Sequence, residues 1–404
     1  MTSDDILARL SSIVADETSS QPELTSTTVA DDIPGWDSVT HSRIILRVEE
    51  AFAIAIDVER TYEFADVGEL VEHIEERLGA PADAPTDPVD ASQGKGGKVA
   101  GARGALFSNA RYPAPYSMFH DKPGTGGSDA NGFLNREAPV TPKPAGEKRV
   151  LMFGNSAVRH GEPDQGVSTH LERLFHAAGR PEVRVYNFGI VSGNCAQSLM
   201  YLVHQGVDMT PDLVITYDGY VDLTVPYNYD PRPGYPYNQY LLELVHEQLG
   251  AGTIGAFDLE RAELERLRQL RDQCGWSSPE WEDAIAQTYV TTIRKVHEIA
   301  RSCGAKTYSC LQPALASKIA RVGSETQWTQ GARRQAFLTR TLAAGRAAFD
   351  QLAGRLDPEW SRFGDLSAIF ADSPEACFID AVHLDIERHP AVAQRLFAEI
   401  EGMI

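Results

Sequence analysis

The chain has 404 residues, of which 42% are apolar and 8% aromatic, a composition typical of a folded protein long enough for two or three domains. Its 37 Lys and Arg residues against 57 Asp and Glu residues give a formal net charge of −20. Sequence-independent binding to nucleic acid or to an anionic membrane depends on clustered Lys and Arg, so this charge argues against both kinds of partner.

Acidic residues are concentrated at the beginning of the chain. Residues 1–80 contain 18 Asp and Glu residues and five Arg residues but no Lys, a net charge of −13. The rest of the chain therefore carries only −7 of the total. This asymmetry predicts a separate acidic module at the N-terminus, with a surface suited to basic partner proteins.

Cysteine usage and hydropathy give no sign of a secreted or membrane-spanning protein. The five cysteines are scattered and include no CxxC pair, so the sequence predicts neither a metal site nor a disulfide framework. The first residues lack the basic and apolar regions of a signal peptide, and no stretch approaches about 18 uninterrupted apolar residues. We therefore expect a cytoplasmic protein.

The first two zones of the chain differ sharply in their apolar pattern. Apolar side chains at helical spacing over residues 6–14, 39–52 and 70–78 predict short helices separated by polar loops. Such an arrangement is typical of a small all-α bundle, here within residues 1–79. Residues 80–103 are rich in Ala, Pro, Gly and Asp and have no apolar period, which predicts a flexible linker.

The second predicted helix begins at a motif with a chemical use. Residues 35–39 read Gly-Trp-Asp-Ser-Val, so Asp37 can cap the helix and Ser38 is exposed at its start, where the helix dipole favours a phosphodiester. The alternative is that Asp37 and Ser38 are a capping pair and nothing more. Residues 1–79 resemble the acyl carrier protein family, in which such a serine bears a prosthetic arm. The resemblance implies 4'-phosphopantetheine on Ser38, added by a phosphopantetheinyl transferase, and an acyl group added by an acyl-loading enzyme.

Residues 104–404 alternate between strand-like apolar runs and helical patterns. The strand-like runs cover residues 150–153, 183–186, 213–216 and 305–311. Helical patterns lie near residues 166–178, 195–206, 279–303, 329–356 and 388–401. This alternation predicts an α/β domain with a parallel sheet covered by helices on both faces. Ligands of such sheets bind beyond the carboxyl ends of the strands, where the polar turns of this zone lie.

A serine and a histidine at opposite ends of this zone predict nucleophilic catalysis. Ser156 follows the first predicted strand in the sequence Phe-Gly-Asn-Ser, a strand-to-helix turn that exposes its hydroxyl. Asp380 precedes His383 by three residues, so its carboxylate can fix the imidazole while the imidazole takes the serine proton. A lone serine or histidine in either place is usually structural, but their combination favours a catalytic set.

The same positions carry a resemblance of residues 104–404 to the SGNH, or GDSL, family of hydrolases and acyltransferases. The matching blocks occur in the family's order, at residues 153–156, 189–194, 219–222 and 380–383, with residues 129–133 as a lead-in loop. The resemblance implies a flavodoxin-like α/β fold. It also implies that Ser156 is the nucleophile, Asp380 the orienting acid and His383 the general base.

The resemblance further implies an oxyanion hole around the nucleophile. Its donors would be the backbone of Ser156 and groups of the second block, with Gly193 as the first choice and Gly189 as the second. Asn194, in the same block, is an additional candidate.

Two residues depart from the family's pattern. Asn155 stands where the first block has Asp, and Val221 stands where the third block has the Asn of the oxyanion hole. Valine cannot donate a hydrogen bond, and the loss of one such donor typically costs about 10²–10³ in kcat. Asn155 or Asn194 supplies a replacement, or backbone donors suffice, or the site is impaired; the sequence leaves these alternatives open.

An aromatic loop follows the third block directly. Residues 225–237 contain four Tyr and four Pro residues, which predicts a stiff loop beside the site, and Arg232 within it offers a contact for an anion. This loop either lines a pocket for the acyl group or the acceptor, or is a packed surface loop. His160, near Ser156, is interpreted as a surface or core residue.

Together these features predict a carrier domain fused to an acyl-transferring domain. The leading hypothesis is an acyltransferase that takes the acyl group from its own carrier onto Ser156 and passes it to a small-molecule alcohol or amine. The 24 residues of the linker would span about 25–30 Å and give an effective concentration in about the mM range. A thioesterase that releases the acyl group to water is the second hypothesis, and a non-catalytic carrier scaffold is the third.

Overall fold

The structure, a computed structural model, describes residues 111–251, 259–327 and 332–404 continuously. Before residue 111 it describes residues 2–18, 23–30, 33, 36, 41, 44–45, 47–48, 51–52, 54, 56, 64 and 66–79. The predicted linker, residues 80–103, lies outside the described residues, and so do the domain boundaries on either side of it.

Two helices are described in the N-terminal region, α1 (Ser3–Thr18) and α2 (Val67–Gly79). The described residues between 41 and 48 are helical as well. Apolar side chains of all three segments share one buried cluster, which includes Ile6, Leu10, Val14, Ile44, Val48, Leu70 and Ile74. The predicted helices at residues 6–14 and 70–78 are confirmed, whereas an acyl carrier bundle stays a prediction.

The strands of the C-terminal region form a small hairpin and one larger sheet. The hairpin pairs β1 (Tyr112–Ala114) with β2 (Met118–His120) in antiparallel fashion. The larger sheet consists of β3 (Lys148–Gly154), β4 (Val183–Gly189), β5 (Leu213–Asp218), β6 (Lys306–Leu311) and β7 (Ser361–Asp365). All neighbours in this sheet are parallel, which confirms the predicted parallel-sheet α/β class.

Helices connect these strands. In chain order they are α3 (Ser156–Arg159), α4 (Val167–Ala177), α5 (Cys195–Tyr201), α6 (Tyr220–Thr224), α7 (Gln239–Gly250), α8 (Leu259–Cys274), α9 (Pro279–Ser302), α10 (Ala332–Ala353) and α11 (His389–Ile400). No helix among the described residues is long and apolar enough to cross a membrane.

The sheet order is β4-β3-β5-β6-β7, so the first strand of the sheet lies between the second and the third. The chain therefore runs to one side of β3 first and then to the other. In open parallel sheets this reversal creates a crevice at the carboxyl ends of the strands, where ligands bind. The residues that follow β3 stand at that place.

Alternate side chains of β3 pack into two different hydrophobic clusters, one on each face of the sheet. On one face, Val150 and Met152 of β3 belong to a buried cluster that includes residues of α4 and α11. On the other face, Leu151 and Phe153 belong to a cluster that includes residues of α5 and α9. A strand buried on both faces reads as a continuous apolar run, which is why β3 was visible in the sequence.

Candidate active site

Ser156 lies at the reversal point of the sheet because the chain turns sharply after β3. Gly154 ends the strand, and a Cβ atom there would come within 2.2 Å of the carbonyl oxygen of Tyr217. Asn155 is the N-cap of α3, and its side-chain oxygen accepts the backbone N–H of Ala157 at 2.9 Å. The close approach and the cap together place Ser156 at the first position of α3.

Ser156, His383 and Asp380 form one hydrogen-bonded line, although 227 residues separate Ser156 from His383. Nε2 of His383 lies 2.7 Å from Oγ of Ser156. Nδ1 of the same ring lies 2.5 Å from Oδ2 of Asp380. A proton held on Nδ1 by the carboxylate leaves Nε2 as the acceptor for the serine hydroxyl. The three sequence-predicted residues are thus in mutual contact.

Asp380 is held as a carboxylate by its surroundings. Its Oδ1 accepts the backbone N–H groups of Val382 at 2.8 Å and of His383 at 2.6 Å. Burial favours the neutral acid, but the hydrogen bonds and the positive potential from His383 outweigh it, so the pKa of Asp380 lies below its ordinary value. A charged Asp380 can stabilise an imidazolium at His383.

The loop that carries Asp380 and His383 is a tight turn with buried anchors. Phe378 and Leu384 pair as an antiparallel bridge at its base. The carboxylate of Glu325 accepts the backbone N–H of Cys377 at 2.7 Å and that of Phe378 at 3.1 Å. Lys318, whose side chain is fully buried with that of Glu325, donates to this carboxylate at 2.5 Å. A buried ion pair between Lys318 and Glu325 therefore anchors the backbone at the start of this loop.

The donors predicted in the second block all have partners inside the protein. The N–H of Gly193 donates to the carbonyl of Ile190 at 2.9 Å, and the N–H of Gly189 donates to the Oδ1 of Asn187 at 2.9 Å. A Cβ at either glycine would clash, at 2.6 Å with Ile190 and at 2.4 Å with the backbone nitrogen of Arg159. Close packing is therefore sufficient to require glycine at both positions.

Asn194 and Asn155, the two candidate amides, are likewise engaged. The side-chain nitrogen of Asn194 donates to the carbonyls of Gly234 and Tyr235, while its oxygen caps α5. The side-chain nitrogen of Asn155 donates to Gln312 at 2.5 Å. By contrast, the structure records no hydrogen bond from the backbone N–H of Ser156 to any described residue.

The third block is tied to the second through Asp222. The Oδ1 of Asp222 accepts the backbone N–H of Cys195 at 3.0 Å, which fixes α6 against the start of α5. Burial raises the pKa of Asp222 to about 6. Burial and the neighbouring Asp222 raise the pKa of Asp218, whose Oδ1 accepts a hydrogen bond from the hydroxyl of Tyr289 at 2.6 Å. Val221, between these polar contacts, is buried at 7% exposure.

The aromatic loop after the third block borders a small cavity. Asn194, Val221, Tyr235 and Tyr237 are among its lining residues. Arg232 does not offer a free cation there, because its guanidinium donates to both Asp230 and Glu243 and stacks on Tyr235. These two carboxylates offset its positive charge, and a contact of Arg232 with an anion stays a prediction.

His160 is the residue of the site that the sequence did not disclose. Its ring stacks on that of His383 with centroids 5.1 Å apart and planes at 24°. It also meets the ring of His389 edge to face at 5.5 Å. The one feature of the sequence that indicates a place in the site is its position four residues after Ser156, about one helical turn from the predicted nucleophile. Ser38 lies outside the described residues.

No protein-family model matches the chain, and no curated protein matches it significantly. The chain is similar to several solved structures. The acetyl xylan esterase AlAXEase shows 14% identity and a TM-score of 0.38, over 62% of this chain and 99% of its own. A GDSL-like lipase from Bacteroides thetaiotaomicron shows 13% identity and a TM-score of 0.39, and the match covers 66% of this chain and 93% of the lipase.

A catalytic mutant of Axe2, an acetylxylan esterase from Geobacillus stearothermophilus, also shows 13% identity and a TM-score of 0.39. That match covers 63% of this chain and 94% of the other. The activities in these names are those of the proteins named.

Proposed function

We propose that residues 104–404 form a serine esterase and acyltransferase, and that its acyl donor is a thioester on Ser38 of the same chain. The observation that carries the proposal is the hydrogen-bonded line of Ser156, His383 and Asp380. Three residue types that together perform acyl transfer in unrelated folds meet here within 2.5–2.7 Å. They do so at the reversal point of the sheet, where ligands of such folds bind.

The geometry supports a two-step reaction. Oγ of Ser156 attacks the acyl carbonyl while Nε2 of His383 takes its proton, and the negative charge of Asp380 stabilises the resulting imidazolium. His383 then returns the proton to the leaving group, which leaves an ester on Ser156. An acceptor hydroxyl or amine loses its proton to His383 and attacks that ester. The bond from the acyl carbon to Oγ then breaks, and His383 returns the proton to Oγ, which regenerates the serine. A water molecule in place of the acceptor gives hydrolysis.

For the oxyanion we propose the backbone N–H of Ser156 as the first donor. It stands at the start of α3 and donates to no described residue. Gly193, Gly189 and Asn194 remain further candidates, each of which would have to exchange an internal partner for the oxyanion. A site with fewer donors than usual stabilises the transition state less, by about 2.7–4 kcal/mol for each donor that is lost.

The carrier part of the proposal depends on residues 1–79. Their charge and the motif around Ser38 support it, and 4'-phosphopantetheine there would supply an activated thioester on a mobile arm. The partners are then a phosphopantetheinyl transferase, an acyl-loading enzyme and a small-molecule acceptor. Fusion of donor and catalyst in one chain favours transfer by raising their effective concentration.

Hydrolysis is the second candidate outcome. The side chains of His383 and Asp380 remain 23% and 30% exposed. Water can therefore reach the base, and a thioesterase or plain esterase is consistent with the same geometry. A non-catalytic scaffold is disfavoured, because a scaffold does not need Ser156, His383 and Asp380 to be joined by hydrogen bonds in the order that catalysis requires.

The deciding experiment uses the full chain expressed with a phosphopantetheinyl transferase. Intact mass should show the added arm in the wild type and not in Ser38→Ala. The arm is then loaded with acetyl, and free acid, ester and amide are followed with and without a panel of alcohols and amines. We expect an acceptor-dependent product that Ser156→Ala does not form.

Each possible result of this experiment tests a different part of the proposal. Modification that persists in Ser38→Ala contradicts the carrier assignment. Free acid alone, at a rate that acceptors do not change, identifies a thioesterase. Loss of acyl groups at the wild-type rate in Ser156→Ala rejects the nucleophile.

A further inference from the structure

The histidine that follows α3 contacts two other histidines. The ring of His160 stacks on that of His383 at 5.1 Å. It also meets the ring of His389, the first residue of α11, edge to face at 5.5 Å. His389 is 2% exposed, and its Nδ1 lies 2.8 Å from the carbonyl of Gln165. His160 is thus packed against a ring that is itself anchored.

The stack closes one face of His383. The hydrogen bonds to Ser156 and Asp380 hold the imidazole at its two nitrogens, and neither of them packs against the face of the ring. A ring stacked on that face, with centroids 5.1 Å apart and planes at 24°, opposes tilting and displacement of the imidazole. Its π-face also attracts the positive charge that His383 acquires when it takes the serine proton.

The charge state of His160 suits this task. The charged and titratable groups near it are His383 and Asp380 from the turn, His389 from α11 and Arg159, the last residue of α3. Burial first, and then His383 and His389, lower the pKa of His160 to about 4, while Asp380 acts in the opposite direction. Near neutral pH the stacked ring is therefore uncharged and does not repel an imidazolium at His383.

We propose that His160 is a positioning residue of the acyl-transfer reaction, whose stacked ring holds the imidazole of His383 in line between Ser156 and Asp380. This inference rests on the proposed function. It assigns His160 no contact with substrate. Since aromatic stacking is worth about 0.5–1.5 kcal/mol, its loss should slow the reaction by about two- to tenfold.

The test compares His160→Ala and His160→Phe with the wild-type full chain, on hydrolysis of p-nitrophenyl acetate and on labelling of Ser156 by a fluorophosphonate. We expect His160→Ala to lose about two- to tenfold in kcat and in labelling rate, with KM unchanged. Phe keeps a ring in the stack and should restore most of the loss. His176→Ala is the matched control, since the ring of His176 lies 2.9 Å from the carbonyl of Val183 and has no recorded ring contact with His160 or His383 among the described residues.

A second readout does not depend on turnover. The proton between Nδ1 of His383 and Asp380 should give a downfield proton resonance whose exchange with water is faster in His160→Ala and is restored in His160→Phe. Wild-type kcat and exchange in His160→Ala, or a Phe variant as impaired as the Ala variant, would overturn the inference. Absence of Ser156-dependent activity in the wild type contradicts the proposed function instead, and the exchange measurement still decides the role of His160.

Discussion

The side-chain amide of Asn155 donates to the side-chain oxygen of Gln312 at 2.5 Å, across the carboxyl end of β5. Gln312 follows β6, and its backbone N–H donates to the carbonyl of Asp218 at the end of β5. The residue before Ser156 is therefore held by two strands besides its own. The side-chain amide of Asn155 supplies the donor for this link.

From this relationship we predict that Asn155→Ala lowers the free energy of unfolding by about 2 kcal/mol. About 1 kcal/mol reflects the lost N-cap of α3, and about 1 kcal/mol or more reflects the buried oxygen of Gln312 left without a donor. Urea unfolding monitored by circular dichroism measures the change. Asn155→Asp is the control, because its carboxylate can still cap α3 and can accept from Gln312 after rotation of that amide. Equal losses in the two variants would contradict the link.

The elements that the sequence predicts best are those buried on both sides. Residues 150–153 and 213–216 are continuous apolar runs, and the structure has them at the centre of the sheet. The sequence analysis did not predict β7, because this strand lies at the edge of the sheet and Phe363 is its sole large apolar side chain. The hairpin of β1 and β2 is too short, at three residues a strand, to produce a recognisable alternation.

Helices α7 and α8 were also missed, for a related reason. They pack mainly on each other through a small cluster that contains Leu241, Leu244, Leu267 and Leu270. Charged side chains dominate α8, so its apolar stripe is narrow. Prediction from apolar residues at helical spacing requires a broad buried face, so it does not identify a helix with so narrow an apolar stripe.

Within the site, the sequence predicts the three residues that chemistry demands but not those that hold them. Ser156, Asp380 and His383 stand out because each follows a strand or shares a turn with a suitable partner. His160 and the pair of Lys318 and Glu325 act through tertiary contacts alone. Nothing local distinguishes them from ordinary polar residues, so only the folded structure places them.

We predict that Ser156→Ala, His383→Ala and Asp380→Asn each remove most of the acyl transfer while the fold is kept. The three residues act as a unit, so the triple variant should be little slower than Ser156→Ala. Initial rates on the loaded carrier and on p-nitrophenyl acetate provide the measurement. Losses that add up in the multiple variants would mean that the residues act independently.

Glu325→Gln should destabilise the fold by about 3–5 kcal/mol, because it leaves the buried ammonium of Lys318 without its counter-ion. Urea unfolding at neutral pH measures this cost. The matched control is Glu375→Gln, which breaks the exposed pair with Arg388 and should cost less than about 1 kcal/mol. Adding Lys318→Met to Glu325→Gln should recover part of the loss. A double variant less stable than Glu325→Gln would show that the two side chains are not coupled in this way.

The same pair predicts how stability depends on pH. Burial acts to raise the pKa of Glu325, but hydrogen bonds from Lys318 and from the N–H groups of Cys377 and Phe378 lower it below its ordinary value of 4.5. A lowered folded pKa gives stability that is complete above the unfolded value and is lost as pH falls through the folded one. The stability difference between wild type and Glu325→Gln should therefore shrink below about pH 4. Unfolding curves between neutral and acid pH test this, and a constant difference would contradict it.

The last prediction concerns Val221, which is buried and lines the small cavity together with Tyr235 and Tyr237. An apolar side chain there supplies no oxyanion donor and helps to exclude water, so attack of water on an ester at Ser156 should be slow. We infer that this favours a bound acceptor over hydrolysis. Val221→Asn should then raise the release of free acid from the loaded carrier by up to about 10²-fold. Val221→Ala opens space without adding a donor and separates the two effects: if it accelerates hydrolysis as much as Val221→Asn does, access of water is the cause, and if neither variant does, another donor already completes the oxyanion hole.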